Sequence, residues 1–528
     1  MRIGAALLAM AIVQAPQPAQ VVADLAGDPH VLSAAGITRD DTPLVTIENA
    51  DPFTPHGKTR LTIVGGFDGD ASAAPAVLDA LRWFKTAAPV ALRRRWNLSA
   101  LPVVDPSGHS RTNPFMFPPA KGFFDDQAQP ESRYVWRWLA FQVPDLVVIV
   151  SPEGAPSATS LAAALGGDVS GLGSVPSETV SAAALQTRLS KILAGTAAPS
   201  PLHQAIDRRV ARAPLDIART LARRYPASPI ASYIPSVAWI NELRLSAATG
   251  EPEWRAKVIE QTAPWIAGGK KPLGDQPPLT SIAGTMIFAV LDGERAKTLL
   301  AEGSELAAAK NADGLYKNGR GWTDDMFMAT SVLARSGQID LAAWQLIEYA
   351  ALLQTASGIF VHGQDGPVAW GRGNGFAALG LMEALTVLER SHPAHANVLD
   401  IYDRQMAGLR AMQAPDGMWR QIVDEPGSYR EETATAMILA AMARGIRLGW
   451  LDRSSLPVVE RAWRALSAHI VEDGTLVDVC SGTGAGPTKR YYFDRPAIDG
   501  PDDRGGAMAL LAAMEVYDLN KLDTLNKR

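Results

Sequence analysis

A single cysteine, Cys480, in 528 residues excludes any intrachain disulfide. No run of 18 apolar residues occurs, so no segment reads as a membrane span. Excess positive charge is missing too. The formal net charge is −5 and the isoelectric point is near 6.0, which gives no support for a nucleic-acid binder or a protein held on an anionic membrane. The one basic run, Arg93 to Arg95 before Trp96, reads as the end of a helix. What is present is ordinary globular material, 47% hydrophobic and 20% charged, with length enough for two or three cores.

The amino terminus has the pattern of an export signal: Arg2, an apolar stretch from Ile3 to Val13, and small residues at Ala15 and Ala19. Residues 1–19 are therefore expected to be a signal peptide, and the absence of disulfides fits a bacterial periplasm or secretion from it. Residues 20–58 show weak periodicity and predict a lead-in strand or loop. From Arg60 to about residue 200, strand-like runs (Leu61 to Phe67, Leu98 to Val104, Pro144 to Val150) alternate with a helical run. That alternation predicts an α/β domain with a mostly parallel sheet over 20–200. The stretch from Ser174 to Leu193 reads as a helix, and Thr196 to His203 as a linker.

Beyond residue 201 strand signals nearly vanish. Helical segments follow one another, several ending in glycine as helices do. Their apolar positions cover so much of each helix that both sides must be buried. The turns at Asp313, Ser357, Asp416 and Asp473 recur between helices at intervals of tens of residues, a period that fits a helical-hairpin array. The expected architecture of 201–528 is an all-α (α/α)6 barrel, with these turns gathered on one face.

Two stretches stand out from the packing helices, Trp322 to Met328 (WTDDMFM) and Val368 to Phe376 (VAWGRGNGF). In the first, Thr323 or Asp324 reads as an N-cap. Neighbouring helical residues diverge by roughly 100°, so Asp324 and Asp325 cannot share one proton as a pair. A lone acid beside Trp322 and Phe327 would have its charged form disfavoured by desolvation, which suits a proton donor. In the second, His362, Asp365, Trp370, Arg372 and Asn374 crowd together between glycines that let the backbone approach a ligand. A guanidinium there suits carboxylate capture, and Trp370 offers a face to a sugar ring. GRGNG is not a phosphate loop, since it neither fits GxGxxG nor follows a strand. The later SGTGAG (Ser481 to Gly486) reads as a loop near the barrel mouth, and Cys480 as buried rather than reactive.

WTDDMFM, HGQD, WGRGNGF, DGMWRQIVDEPGSYREETATAM and SGTGAG with YYFDRP, in that order, resemble the unsaturated rhamnogalacturonyl hydrolases of glycoside hydrolase family 105, relatives of the family 88 unsaturated glucuronyl hydrolases. The likeness runs from about Tyr233 to the carboxyl terminus. It implies the (α/α)6 barrel and removal of a terminal 4,5-unsaturated uronic acid from lyase-generated oligosaccharides by hydration of the C4=C5 bond. Asp324 falls on the family's general acid/base. Substrate contacts are implied for His362, Trp370 and Arg372, with Asn374, Trp322 and Tyr233 beside them. No metal and no organic cofactor is implied, and the partner is an acidic oligosaccharide. Departures are Phe376 in place of the usual Trp, no His before the acid, and no clean match for a second family Asp, for which Asp275 is the nearest position. A toroid-fold lyase, a conventional two-acid glycosidase and a non-catalytic glycan binder remain the alternatives.

The amino-terminal domain resembles the zinc carboxypeptidase fold in strand order and in its IVGGFDGD, VVDPSG, RTNP and QPES stretches. GGFDGD stands where H-x-x-E belongs, SPEG where the strand-end His belongs, and His56 and His109 are misplaced. Without imidazoles there is no first shell for zinc, so a module for packing or glycan contact is expected.

Overall fold

A computed structural model describes residues 32–48, 51–55, 57–106, 114–119, 130–312 and 314–526. The expected signal segment 1–19, His56, His109, most of RTNP, Gln129 and Asp313 lie outside the described residues. Two compact units divide the chain. One runs from Met1 to Val210 with short returns at Ala414–Asp416 and Glu425–Tyr429; the rest forms the other.

The first unit carries β1 (Leu32–Ile37), β2 (Pro43–Ile47), β3 (Thr59–Gly65), α1 (Ala73–Thr86), α2 (Val90–Arg95), β4 (Trp96–Leu101), α3 (Pro130–Phe141), β5 (Leu146–Val150), α4 (Pro156–Leu165), β6 (Ser177–Val180), α5 (Leu185–Ala194) and α6 (Pro201–Val210). Its sheet order is β1-β2-β4-β3-β5-β6. The last four strands in that order are parallel, and β1 and β2 add an antiparallel edge. Leu61, Ile63, Val148 and Val150 are fully buried, as expected of central parallel strands covered on both faces. Two expectations need correcting. The helix expected over 174–193 starts at Leu185, because Ser177–Val180 pairs with β5 as an edge strand. The linker expected at 196–203 instead opens α6. Ser200 Oγ accepts the His203 N–H (3.0 Å) as an N-cap, while the buried Asp145 holds the Ser200 N–H (3.1 Å) and His203 Nδ1 (2.6 Å).

The second unit is helical: α7 (Pro214–Arg224), α8 (Tyr233–Thr249), α9 (Pro252–Ile266), α10 (Leu279–Ala283), α11 (Glu294–Ala308), α12 (Thr323–Arg335), α13 (Ile339–Leu353), α14 (Gly371–Val387), α15 (His395–Ala411), α16 (Glu432–Leu448), α17 (Leu456–His469), α18 (Lys489–Phe493) and α19 (Asp503–Asn526), with a small sheet of β7 (Leu476–Cys480) and β8 (Ala497–Gly500). Helices α12, α14 and α16 are buried almost all round. Helix α8 packs on α10, α10 on α12, and so through α14, α16 and α19 back to α8. The amphipathic α7, α9, α11, α13, α15 and α17 alternate with these inner elements in the chain and pack against them from outside. After α10 the chain tightens into a 3-10 turn, Gly284–Val290. Side chains take the carbonyls there: Ser236 Oγ donates to Gly284 O (2.7 Å) and Thr285 Oγ1 to Ile282 O (2.7 Å).

The repeated turn has a backbone basis. Gly314, Gly358, Gly417 and Gly474 all have φ between 82° and 96°, and each turn leads from an outer helix towards the next inner one, so the inner N-termini share one face. At the opposite ends, Glu515 is fully buried among Arg244, Arg444 and Arg447. Burial pushes its pKa up, but the three guanidiniums overcome that and leave it at about 2.

Two outcomes are expected. A side chain on Gly380 would run into the Met326 carbonyl where α14 crosses α12, so Gly380→Ala should lower stability by about 1–3 kcal/mol in a denaturant titration. Glu515→Gln removes the carboxylate that three arginines share, leaving Arg244 to Asp518 and Arg444 to Glu383, and should cost on the order of 3 kcal/mol at neutral pH. Because the folded pKa is depressed, that contribution holds above the ordinary carboxylate pKa and is lost as pH falls towards 2. The gap between wild type and variant in denaturation midpoint should therefore close in acid.

Candidate active site

The loop before α12 is built around Asp325. Its Oδ2 accepts the backbone N–H groups of Arg320 (2.8 Å), Gly321 (2.7 Å) and Trp322 (3.2 Å) and the Tyr349 hydroxyl (2.8 Å). Capping of α12 thus falls to Asp325 from inside the first turn, with Trp322 at the N-cap, not to Thr323 or Asp324. Burial pushes the Asp325 carboxyl up to about 6, against the pull of Tyr349 and the backbone donors. The desolvated acid of the pair is Asp325. Asp324, turned the other way, keeps its side chain 18% exposed.

Asp324 Oδ2 lies 3.2 Å from His362 Nε2, and His362 Nδ1 lies 2.8 Å from the Tyr492 hydroxyl. The fully buried imidazole sits between two indoles, with ring centres 4.9 Å from Trp322 and 4.4 Å from Trp370. Trp322 is partly exposed and donates its Nε1–H to Asp365 (2.9 Å). These contacts fix His362 in orientation and leave Asp324 the side chain of this group best placed to exchange a proton with a ligand.

Arg372, in the first turn of α14, lies over the Trp370 ring at 4.7 Å and donates to the carbonyls of Cys480 (2.7 Å) and Ser481 (2.8 Å). The Cys480 carbonyl also accepts Arg504 Nη1 (3.0 Å), and the Cys480 N–H goes to Glu431 (2.8 Å). Glu431 caps α16 through the N–H groups of Thr433 and Ala434. Its neighbour Glu432 is buried with neither oxygen hydrogen-bonded. Burial, then the charges of Glu431 and Asp502, hold the Glu432 pKa well above the ordinary value. Tyr233, at the start of α8, is buried and interacts with Arg504, Arg372 and Asp324; burial raises its pKa. Tyr233 also packs edge-on against Phe327 and Phe376.

The inner N-termini thus bring Asp324, Trp322, His362, Arg372 and Tyr233 together. Three readings change. Trp370 is only 1% exposed, so it is the floor under His362 and Arg372 rather than a free stacking face. Asn374 is fully buried, and its amide is spent on the N–H and carbonyl of Phe360 and the carbonyl of Trp370. GRGNG is the first turn of a helix: a side chain on Gly371 would overlap the Arg420 carbonyl, so that glycine admits protein backbone rather than a ligand. Asp275 is exposed in the loop before α10 and contributes no contact to this group. Sequence reasoning missed Tyr492, Glu431, Glu432 and Arg504. The acid pair opening a helix in SYREETATAM was a usable signal for the two glutamates; nothing local singled out Arg504. Among the described residues no cluster of three or more His, Cys, Asp or Glu could hold a metal ion, and no helix is long and apolar enough to cross a membrane.

Residues 293–520 match the sequence model of Glycosyl Hydrolase Family 88. Among characterised proteins, the chain is 31% identical over 158 residues to the unsaturated 3S-rhamnoglycuronyl hydrolase of Alteromonas sp. (strain LOR), covering 29% of this chain and 37% of that one. It is 27% identical over 190 residues to the unsaturated rhamnogalacturonyl hydrolase YesR of Bacillus subtilis (strain 168), covering 33% and 54%. The chain therefore spans between a third and about half of these relatives' length. In fold it is similar to a family 105 glycoside hydrolase from C. acetobutylicum ATCC 824, with a TM-score of 0.53 at 17% identity over 57% of this chain and 99% of the other. A possible family 105 member from Klebsiella pneumoniae gives 0.52 at 19% identity over 60% and 94%. The matched segment lies in the helical unit and holds every residue of the group described above except Tyr233.

Proposed function

We propose that the helical unit is a closed (α/α)6 barrel that removes a terminal 4,5-unsaturated uronic acid from acidic oligosaccharides by hydrating its double bond. One observation carries this reading: a partly exposed carboxyl, Asp324, held by a clamped imidazole beside two arginines. Inner helices also aim their N-termini at this place, where partial positive charge favours an anionic substrate group. The names of the two characterised relatives support the substrate class.

In the proposed reaction Asp324 gives its proton to C4 while water adds its oxygen at C5 and returns a proton to the carboxylate. The resulting hemiketal opens its ring, and C1 releases the remaining sugar as an alcohol. Arg372 and Arg504 supply positive charge for the uronate, and His362 orients Asp324. One acid performs both proton transfers, unlike the facing pair of an ordinary glycosidase. Export to the periplasm, from the pattern of residues 1–19, belongs to the same proposal. For the α/β unit we propose a packing or glycan-contact role. Asp68, in the GGFDGD turn, is engaged in accepting the N–H of Ser157 at the start of α4 (3.2 Å).

Incubation with unsaturated products of pectin, ulvan or glycosaminoglycan lyases should remove their near-ultraviolet absorbance. Asp324→Asn should slow that loss roughly a thousandfold with the melting temperature unchanged. By contrast Asp325→Ala frees three loop N–H groups and Tyr349, and should cost about 1–3 kcal/mol of stability. Undiminished absorbance across all three product classes with the wild-type protein would end the reading.

A further inference from the structure

The hydroxyl of Tyr492 has only one place to send its proton. Tyr492 is fully buried. Its phenolic oxygen accepts the Gly486 N–H (3.2 Å) and lies 2.8 Å from His362 Nδ1. Among the described residues no other acceptor lies within hydrogen-bond distance of it. Burial, against the pull of the Gly486 N–H, pushes the phenol up to about 12, so it keeps its proton near neutral pH. A buried hydroxyl without an acceptor is costly, and Tyr492 therefore donates to Nδ1.

That direction fixes the imidazole. A ring nitrogen that accepts carries no proton, so the N–H of His362 sits on Nε2 and points at Asp324 Oδ2 (3.2 Å). Asp324 Oδ1 has no hydrogen-bond partner among the described residues, and the side chain is partly exposed. Three donors, Gly486 N–H, Tyr492 O–H and His362 Nε2–H, thus run head to tail and end on one oxygen of the carboxyl. Such a row polarises along its length and is strongest when its last acceptor is charged. In the proposed reaction Asp324 becomes charged as its proton leaves for C4, so the row favours that step over the resting acid.

We propose that Tyr492 is a positioning residue that acts through His362. Its hydroxyl keeps the ring proton on Nε2, which fixes Asp324 Oδ2 as an acceptor and leaves Oδ1 as the oxygen that delivers a proton to C4 and takes one back from water. His362 itself gains and loses no proton in the cycle. The proton route rests on the hydrolase reading; the tautomer does not.

The test is NMR of the full-length protein carrying ring-labelled nitrogen-15 histidine, because the nitrogen shifts distinguish the two tautomers and the imidazolium. Of the 8 histidines, His362 is the signal missing from His362→Gln. Near neutral pH the wild type should show the Nε2–H form. Tyr492→Phe, which removes one oxygen and keeps the ring, should populate the Nδ1–H form. With an unsaturated disaccharide its kcat should fall about ten- to a hundredfold at nearly constant KM. In the His362→Gln background, where an amide donates to Asp324 without help from Tyr492, the same change should cost less than about twofold. Tyr491→Phe, whose hydroxyl accepts the Gly484 N–H (3.2 Å), should leave the His362 signal unchanged. An Nδ1–H form or an imidazolium in the wild type overturns the proposal, even where Tyr492→Phe does not fold. An unchanged His362 signal in Tyr492→Phe, or an equal loss of kcat in both backgrounds, also overturns it while the hydrolase reading stands. Absence of turnover by the wild type removes the hydrolase reading and the proton route with it, and the spectrum still decides whether Tyr492 sets the tautomer.

Discussion

One peptide group holds the candidate site together. The Cys480 carbonyl accepts Arg372 and Arg504, and its N–H is taken by Glu431. Through that single unit of backbone, β7 ties together the first turns of α14, α16 and α19. Two guanidiniums converging on one carbonyl would repel each other, and the Glu431 carboxylate is what makes the arrangement tolerable. Burial first, and the charge of Glu431 second, drive the neighbouring Glu432 towards its neutral form. Arg372 is consequently more tied to protein than its place among glycines suggested, and Arg504 shares its work.

A second constraint acts through aromatic packing. His362 has no freedom to rotate: two indoles hold its faces and two oxygens its nitrogens. The carboxyl it addresses stays at the surface because its neighbour, Asp325, takes the buried, backbone-facing position. Adjacent acids on one helix turn thereby acquire opposite duties, one building the loop and the other facing solvent.

Much of the helical half was legible because inner helices betray themselves by being apolar on every side, and because glycines in left-handed turns mark each passage to an inner N-terminus. The outer helices were harder to read, since α9, α11 and α17 mix charged and apolar residues without long apolar runs. Strand β6 was misread because Ser177–Val180 is short and lies at an edge, where pairing rather than composition decides. At the site, the clustering of His362 and Arg372 in the chain reflects true proximity. The burial of Trp370 and Asn374 was not legible, since aromatic and amide groups serve equally as ligand contacts or as internal braces. Arg504 and Tyr492 arrive from the far end of the chain, a relation that only tertiary structure supplies.

The cluster at Glu515 sits at the opposite ends of the same inner helices, a distance of about 20 Å for a helix the length of α12. Anchoring charge and reactive charge are thus kept at separate poles. Sequence drift in the turns around Trp322 and Tyr491 can therefore proceed without loosening the inner helices, whose charged fastening lies elsewhere.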